Sequence, residues 1–157
     1  MEKYEELLVK ASNNFKTADH LTYVSYPLLN DKKLLLAIAY NLYLTGSNGI
    51  SAVLYYERLY KRIEVLPSDL DSRINLFESL VMNRLKIKPE VCSVLRELKL
   101  IVDQHRESPL EFSRKDKFVI CNDDYSGVKT LDIPMLKIYI AVMREFLRVV
   151  SGLRKNV

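Results

Sequence analysis

The sequence predicts an all-α fold, a helical bundle of four to six helices in one domain over residues 1–157, with a small β-hairpin-like insertion near residues 118–131. Three observations predict it. Apolar residues recur at three- and four-residue steps along most of the chain, the period of a helix with one buried face. Four glycines and five prolines are too few for the many tight turns of an all-β chain. A composition of 48% apolar and 28% charged residues is that of a globular protein, and a chain of this length buries roughly two thirds of its unfolded surface.

The first helix is expected from about Glu2 to Ser25. Tyr4, Leu7, Leu8, Ala11, Phe15, Ala18 and Leu21 form its stripe, and Pro27 is expected to end it by pushing Tyr26 out of the α region. Asp31 then suits the N-cap of a second helix reaching about Ile63. This helix is apolar nearly all round, which places it at the centre of a bundle or in a subunit seam. Gly46-Ser47-Asn48-Gly49 in its middle marks either a break or a point of close packing, because two glycines together cost about 2 kcal/mol of helix propensity.

Ser68 is expected to cap the third helix, with Asp71 three residues on and Leu70, Ile74, Phe77, Leu80, Val81 and Leu85 inward. Pro89 fits the first position of the fourth, whose stripe is Val91, Val94, Leu95, Leu98, Ile101 and Val102, and Ser108-Pro109 stops it. Phe118–Cys121 and Val128–Leu131 flank the turn-rich run Asn122–Gly127 and read as two short strands. Asp132 caps the final helix, Pro134 lies in its first turn, and Gly152 stops it. Its core face is Met135, Leu136, Tyr139, Ile140, Met143, Phe146, Leu147 and Val150.

The net charge of +4 is mild, and it is unevenly placed. Residues 1–60 carry six cations and six carboxylates, and the rest of the chain carries eighteen against fourteen. Cys92 and Cys121 have no metal-ligand spacing and read as buried thiols of a reducing compartment. The start Met1-Glu2-Lys3-Tyr4-Glu5-Glu6 is not that of a signal peptide, so a cytoplasmic protein is expected. Residues 34–56 lack formal charge over a span long enough for a bilayer. Asn41, Thr45, Ser47, Asn48 and Ser51 interrupt that run, and a buried helix rather than a membrane segment is expected.

No phosphate loop, nucleophile elbow, zinc-protease or calcium-loop pattern is present. The paired acids Asp69/Asp71 and Asp123/Asp124 fall at caps and turns, where acids are expected, and neither a metal nor a cofactor is expected. His20 reads as a half-buried residue beside the first stripe.

Two surface features bear on function. The segment 105–117 offers His105, Arg106, Arg114, Lys115 and Lys117 with Phe112 among them. Arg and Lys there suit phosphate, and His105 suits proton transfer. The same cations could instead pair with Glu107, Glu111 and Asp116 on a solvated loop. Seven of the ten tyrosines, Tyr23, Tyr26, Tyr40, Tyr43, Tyr55, Tyr56 and Tyr60, fall within residues 20–60. They serve either a homodimer seam, with Tyr40, Tyr43, Gly46, Gly49 and Tyr55 as its candidates, or the chain's own core.

The stretch from Leu36-Ala37-Ile38-Ala39-Tyr40-Asn41-Leu42 to Ala52-Val53-Leu54-Tyr55-Tyr56 resembles the HEPN family of α-helical bundles. The order of a long first helix, a small-residue-rich second and a shorter last one is similar too, over residues 1–150. The resemblance implies a helical module that often dimerises, in a family with many members acting in RNA cleavage or nucleotide binding. Its ribonucleases carry an Arg, four to six residues, then a His near a helix end. Here eight residues separate Arg96 from His105, and no Arg precedes His20, so nuclease activity is not implied. The leading expectation is a non-enzymatic binding or assembly module that self-associates through the second helix. The alternative is an RNA-interacting protein, HEPN-like nucleases included, or one taking another anionic ligand, through the 105–117 segment.

Overall fold

A computed structural model describes residues 1–107 and 110–156, of which 155 and 156 are described by backbone alone. The chain is mostly helical, with a small antiparallel sheet. In order come α1 (Lys3–His20), a π turn (Leu21–Ser25), α2 (Tyr26–Leu29), α3 (Lys33–Leu59), α4 (Leu70–Leu80), α5 (Glu90–Glu107), the strands β1 (Leu110–Arg114), β2 (Lys117–Cys121) and β3 (Lys129–Leu131), α6 (Ile133–Ser151) and a final 3-10 turn (Gly152–Asn156).

Helix α3 is the axis of the molecule. Leu35, Ile38, Ala39, Leu42, Ile50, Ala52, Val53 and Leu54 are fully buried, against α1 on one side and α4, α5 and α6 on the others. The helix runs unbroken through Gly46 and Gly49. A Cβ on Gly49 would stand 2.5 Å from Cε2 of Phe146, and one on Gly46 would stand 2.9 Å from Cδ1 of Leu95. At these glycines the side chains of α5 and α6 lie where a Cβ on α3 would stand. Asn48 donates to Asn14 across the α1–α3 contact at 3.0 Å, satisfying an amide that would be costly unpaired.

The stripes read from the sequence lie inward. Tyr4, Leu7, Leu8, Ala11 and Ala18 of α1 are buried, as are Val91, Val94, Leu95, Leu98, Ile101 and Val102 of α5. In α6, Leu136, Ile140, Met143, Phe146, Leu147 and Val150 are buried, Asp132 caps the helix by accepting from the Met135 amide at 2.9 Å, and Gly152 follows its last residue.

Several expectations are corrected. Pro27 does not end the first helical rod, which runs from Lys3 to the left-handed Asn30 at φ 49°. Proline has no N–H and its ring collides with the carbonyl four residues back in a regular helix. Residues 21–25 widen into a π turn in which the Tyr26 amide donates to Leu21 O, and Thr22 Oγ1 donates to Ala18 O at 2.8 Å. The widened turn accommodates Pro27 without a break. Asp69, not Ser68, caps α4, accepting from the Ser72 amide at 2.9 Å, and Leu80 of its expected stripe is 53% exposed. Pro89 sits just before α5 instead of opening it. The expected stop at Ser108-Pro109 lies outside the described residues.

The hairpin-like insertion is a three-stranded meander of order β1-β2-β3. The strands expected near 118–121 and 128–131 are β2 and β3, paired Phe118 to Leu131 and Ile120 to Lys129. The third strand, β1, pairs with β2 from Leu110–Cys121 to Arg114–Lys117. A two-residue turn joins them, with Lys115 left-handed at φ 57°. Phe118, Ile120 and Leu131 are buried in the helical core. Lys129 pairs with Glu97 at 3.0 Å, and Gln104 donates to Gly127 O, which fixes the sheet on α5.

Among the described residues, no helix is long and apolar enough to cross a membrane.

Candidate nucleic-acid interface

Where α5 ends, it lies beside the start of α3. Lys33, Leu36, Ala37 and Tyr40 of α3 and Val102, His105 and Arg106 of α5 line one cleft of about 490 Å³. Helical spacing explains both rows. Lys33, Leu36, Ala37 and Tyr40 follow three- and four-residue steps, as do Val102, His105 and Arg106, so each set shares one face of its helix. The floor is apolar and the rim carries cations. Asp31 Oδ1 accepts from the Lys33 amide at 3.0 Å and fixes the start of α3.

Glu111 on β1 holds His105, with Oε1 2.6 Å from Nδ1. A carboxylate is an acceptor, so Nδ1 carries the proton in this contact, and Nε2 is left for a ligand. Lys33 and Arg106 make no ion pair with another described residue. Tyr40 is 40% exposed, with the ring of Tyr43 6.2 Å away. Burial raises the Tyr43 hydroxyl above its ordinary value, and nearby Arg106 opposes that shift.

The remaining cations expected to act with His105 stand elsewhere. Arg114, Lys115 and Lys117 lie around the β1–β2 turn, beside a depression lined also by Phe112, Asp116, Val119, Cys121, Tyr125, Val128 and Thr130. Alternation along β1 turns Glu111 toward one face of the sheet and Phe112 and Arg114 toward the other. The basic segment thus serves two surfaces. Two of the carboxylates that could have neutralised it are placed: Glu111 is on His105, and Asp116 is in the turn itself.

The five seam candidates also separate. Gly46 and Gly49 are buried inside the chain's own bundle, which corrects their placement on a subunit surface. Tyr55 is half-buried, with the Arg58 and Arg73 guanidinium groups 4.8 and 5.8 Å from its ring centre. Tyr43 packs against the core. Tyr40 is the exposed member, and it lines the cleft. The apolarity that made the second helix a candidate seam is taken up by α1, α5 and α6.

Arg96 is not part of this site. Nine residues of helix place it about 13 Å along α5 from His105, and it bonds Glu78 and Asn75 of α4. His20 is exposed, not half-buried, and neighbouring Asp19 pairs with Arg144. Burial pushes the Cys92 thiol up to about 11, which makes it a poor nucleophile. Among the described residues, no group of three or more His, Cys, Asp or Glu could hold a metal ion.

Sequence reasoning found His105, Arg106 and Tyr40, and named Glu111 only as a possible ion-pair partner on a solvated loop; it did not single out Lys33, Leu36 or Ala37 as site residues. A basic residue at the start of an apolar helix carries no signal of its own, and what joins it to His105 is the packing of α3 on α5. Comparison with protein families, curated proteins and solved structures finds no match to this chain.

Proposed function

We propose that the protein is an RNA-binding module that takes a ribose-phosphate unit in the α3–α5 cleft. The observation that supports this reading is the convergence of Lys33, Arg106, His105 and Tyr40 on one cleft with an apolar floor. Lys33 and Arg106 are suited to phosphate oxygens. Tyr40 offers a ring for base stacking. With Nδ1 engaged by Glu111, His105 Nε2 is available to hydrogen-bond a 2′-hydroxyl, which both donates and accepts and distinguishes RNA from DNA. The lining holds no nucleophile–base pair and no pair of carboxylates, so binding, not catalysis, is the function proposed. The reading does not depend on the likeness to HEPN bundles. Self-association through Tyr40 would compete with it for the same surface.

The test is fluorescence anisotropy with a labelled RNA of about 12 nucleotides, a length within the range of small single-strand binders, titrated over a range of salt. Lys33→Ala and Arg106→Ala each remove one cation, so each is expected to weaken binding and to flatten the salt dependence by about 0.7 in the logarithmic slope. The matching DNA is expected to bind more weakly to the wild type, and His105→Ala to narrow that difference. Unchanged affinity and slope in the Lys33→Ala/Arg106→Ala double variant would overturn the assignment.

A further inference from the structure

The sheet presents a second surface with its own chemistry. The register sets Phe112 opposite Val119, Val119 opposite Thr130, and Arg114 opposite Lys117. Residues opposite one another share a face, so these side chains stand together on the side away from the helices. Phe118, Ile120 and Leu131 occupy the other side and are buried. On the outer side, Val119 and Cys121 floor the depression, while Phe112 is 39% and Tyr125 71% exposed. Phe112 on the edge strand and Tyr125 in the β2–β3 loop thus set two accessible rings beside one small apolar floor.

The charge is there as well, at the end where β1 turns into β2. Arg114, Lys115 and Lys117 are exposed, and none forms an ion pair with another described residue. Asp116 is the carboxylate among them. Asp124, in the loop that carries Tyr125, is bonded to Ser126. The face therefore combines two exposed rings with three cations against Asp116.

We propose that this outer sheet face is a base-stacking platform for single-stranded RNA, a second contact for the strand whose ribose-phosphate the α3–α5 cleft binds. It rests on the RNA-binding reading above and adds the class of RNA. Every base has a π-face, and an aromatic ring on a sheet can stack on it only when the strand is unpaired. A duplex offers the cations its phosphates but hides its bases. The two rings thus select single strands, while Arg114, Lys115 and Lys117 hold the backbone alongside. Because β1 sends Glu111 to His105 and Phe112 to the platform, a single strand segment supports both contacts.

The experiment measures binding of one RNA sequence, single-stranded and as a duplex, with inorganic polyphosphate as a competitor that has charge and no bases. The wild type is expected to favour the single strand. Phe112→Ala and Tyr125→Ala are each expected to lose about 5- to 150-fold for the single strand, the usual range for a stacked base, with polyphosphate competition unchanged. Tyr125 lies in an exposed loop, so its variant keeps the test sound if Phe112→Ala perturbs the sheet. Single-strand binding unchanged in Tyr125→Ala overturns the platform and leaves the cleft reading in place. An equal loss of polyphosphate binding also overturns the platform, since the ring would then act through structure or charge. A wild type that binds no RNA overturns both.

Discussion

Replacing Gly49 with alanine probes the tightest of the contacts at the chain's glycines. The new Cβ would stand 2.5 Å from Cε2 and 3.1 Å from Cζ of Phe146. Phe146 is 1% exposed and packs edge-on against Phe77 with ring centres 6.0 Å apart. The ring stands between Gly49 of α3 and Phe77 of α4, so the new Cβ must displace a buried aromatic rather than the tip of a flexible chain. Overpacking of this kind costs about 1–3 kcal/mol, against roughly 1 kcal/mol of helix propensity gained by losing a glycine. A clash as close as 2.5 Å on a fully buried ring belongs in the upper part of that range, about 2–3 kcal/mol, so the net expectation is a loss of about 1–2 kcal/mol, which lowers Tm by roughly 2–8 °C in a chain of this size. Gly46→Ala is the control. Its obstacles are Cδ1 of Leu95 at 2.9 Å and Cε of Met143 at 3.1 Å, both ends of flexible side chains. The propensity gain should offset most of that cost and leave the variant within about 1 kcal/mol of wild type. Urea unfolding followed by circular dichroism at several protein concentrations measures both. A Gly49→Ala protein as stable as wild type, or a Gly46→Ala protein less stable than Gly49→Ala, would refute the packing argument. So would a Gly49→Ala loss that depends on concentration, because the collision lies within one chain.

The buried carboxylate of Glu57 gives a second expectation. It is 3% exposed and is held by Arg84, and by Arg62 at 3.4 Å. Arg84→Ala should cost about 2 kcal/mol, the order of a charge-assisted hydrogen bond. Arg62→Ala should cost less, since its contacts are longer, and a reversed order in urea midpoints would refute the assignment. At the start of α4, the Ser72 amide holds the Asp69 carboxyl below its ordinary value of 3.8. A carboxyl whose value is lowered by folding stabilises fully above the unfolded value and loses that contribution as pH falls through the folded one. The stability difference between wild type and Asp69→Ala should therefore be present at neutral pH and fade below about pH 4, as thermal unfolding at several pH values would show. Ser68→Ala should leave stability unchanged.

The parts of the fold that were legible in the sequence are those that local chemistry decides. The stripes of α5 and α6 follow from spacing alone, and the Asp132 cap follows from one side chain and its own next turn. Pro27 misled because its usual effect assumes a regular helix, and the π turn that relieves it leaves no mark on residue type. Strand β1 was hidden for a related reason. It is a charged edge strand, and Lys115 takes the left-handed position where glycine or asparagine would have announced a turn. Ser68 and Asp69 are both good caps, and only the docking of α4 chooses between them. At the candidate site, His105, Arg106 and Tyr40 stood out by type, whereas Lys33 and Glu111 belong to it only because α3 and β1 flank the end of α5. Arg114, Lys115 and Lys117 are near His105 in sequence but on another surface, since a strand turns alternate residues to opposite sides.

The placement of α3 has a consequence for how the chain is made. Helices α1 and α3 are near neighbours in sequence and can pack as soon as both have emerged. The opposite side of α3, where Gly46 and Gly49 lie, receives Phe146 only after nearly a hundred more residues, roughly 5–20 s of synthesis. Helices α4 and α5 cover part of that side as they emerge, and the part that α6 fills stays open longest. A ribosome that stalls before α6 would leave a nascent chain with an open, sticky groove, the kind of surface that chaperones shield. Translation speed through residues 60–146 would therefore bear on the yield of folded protein.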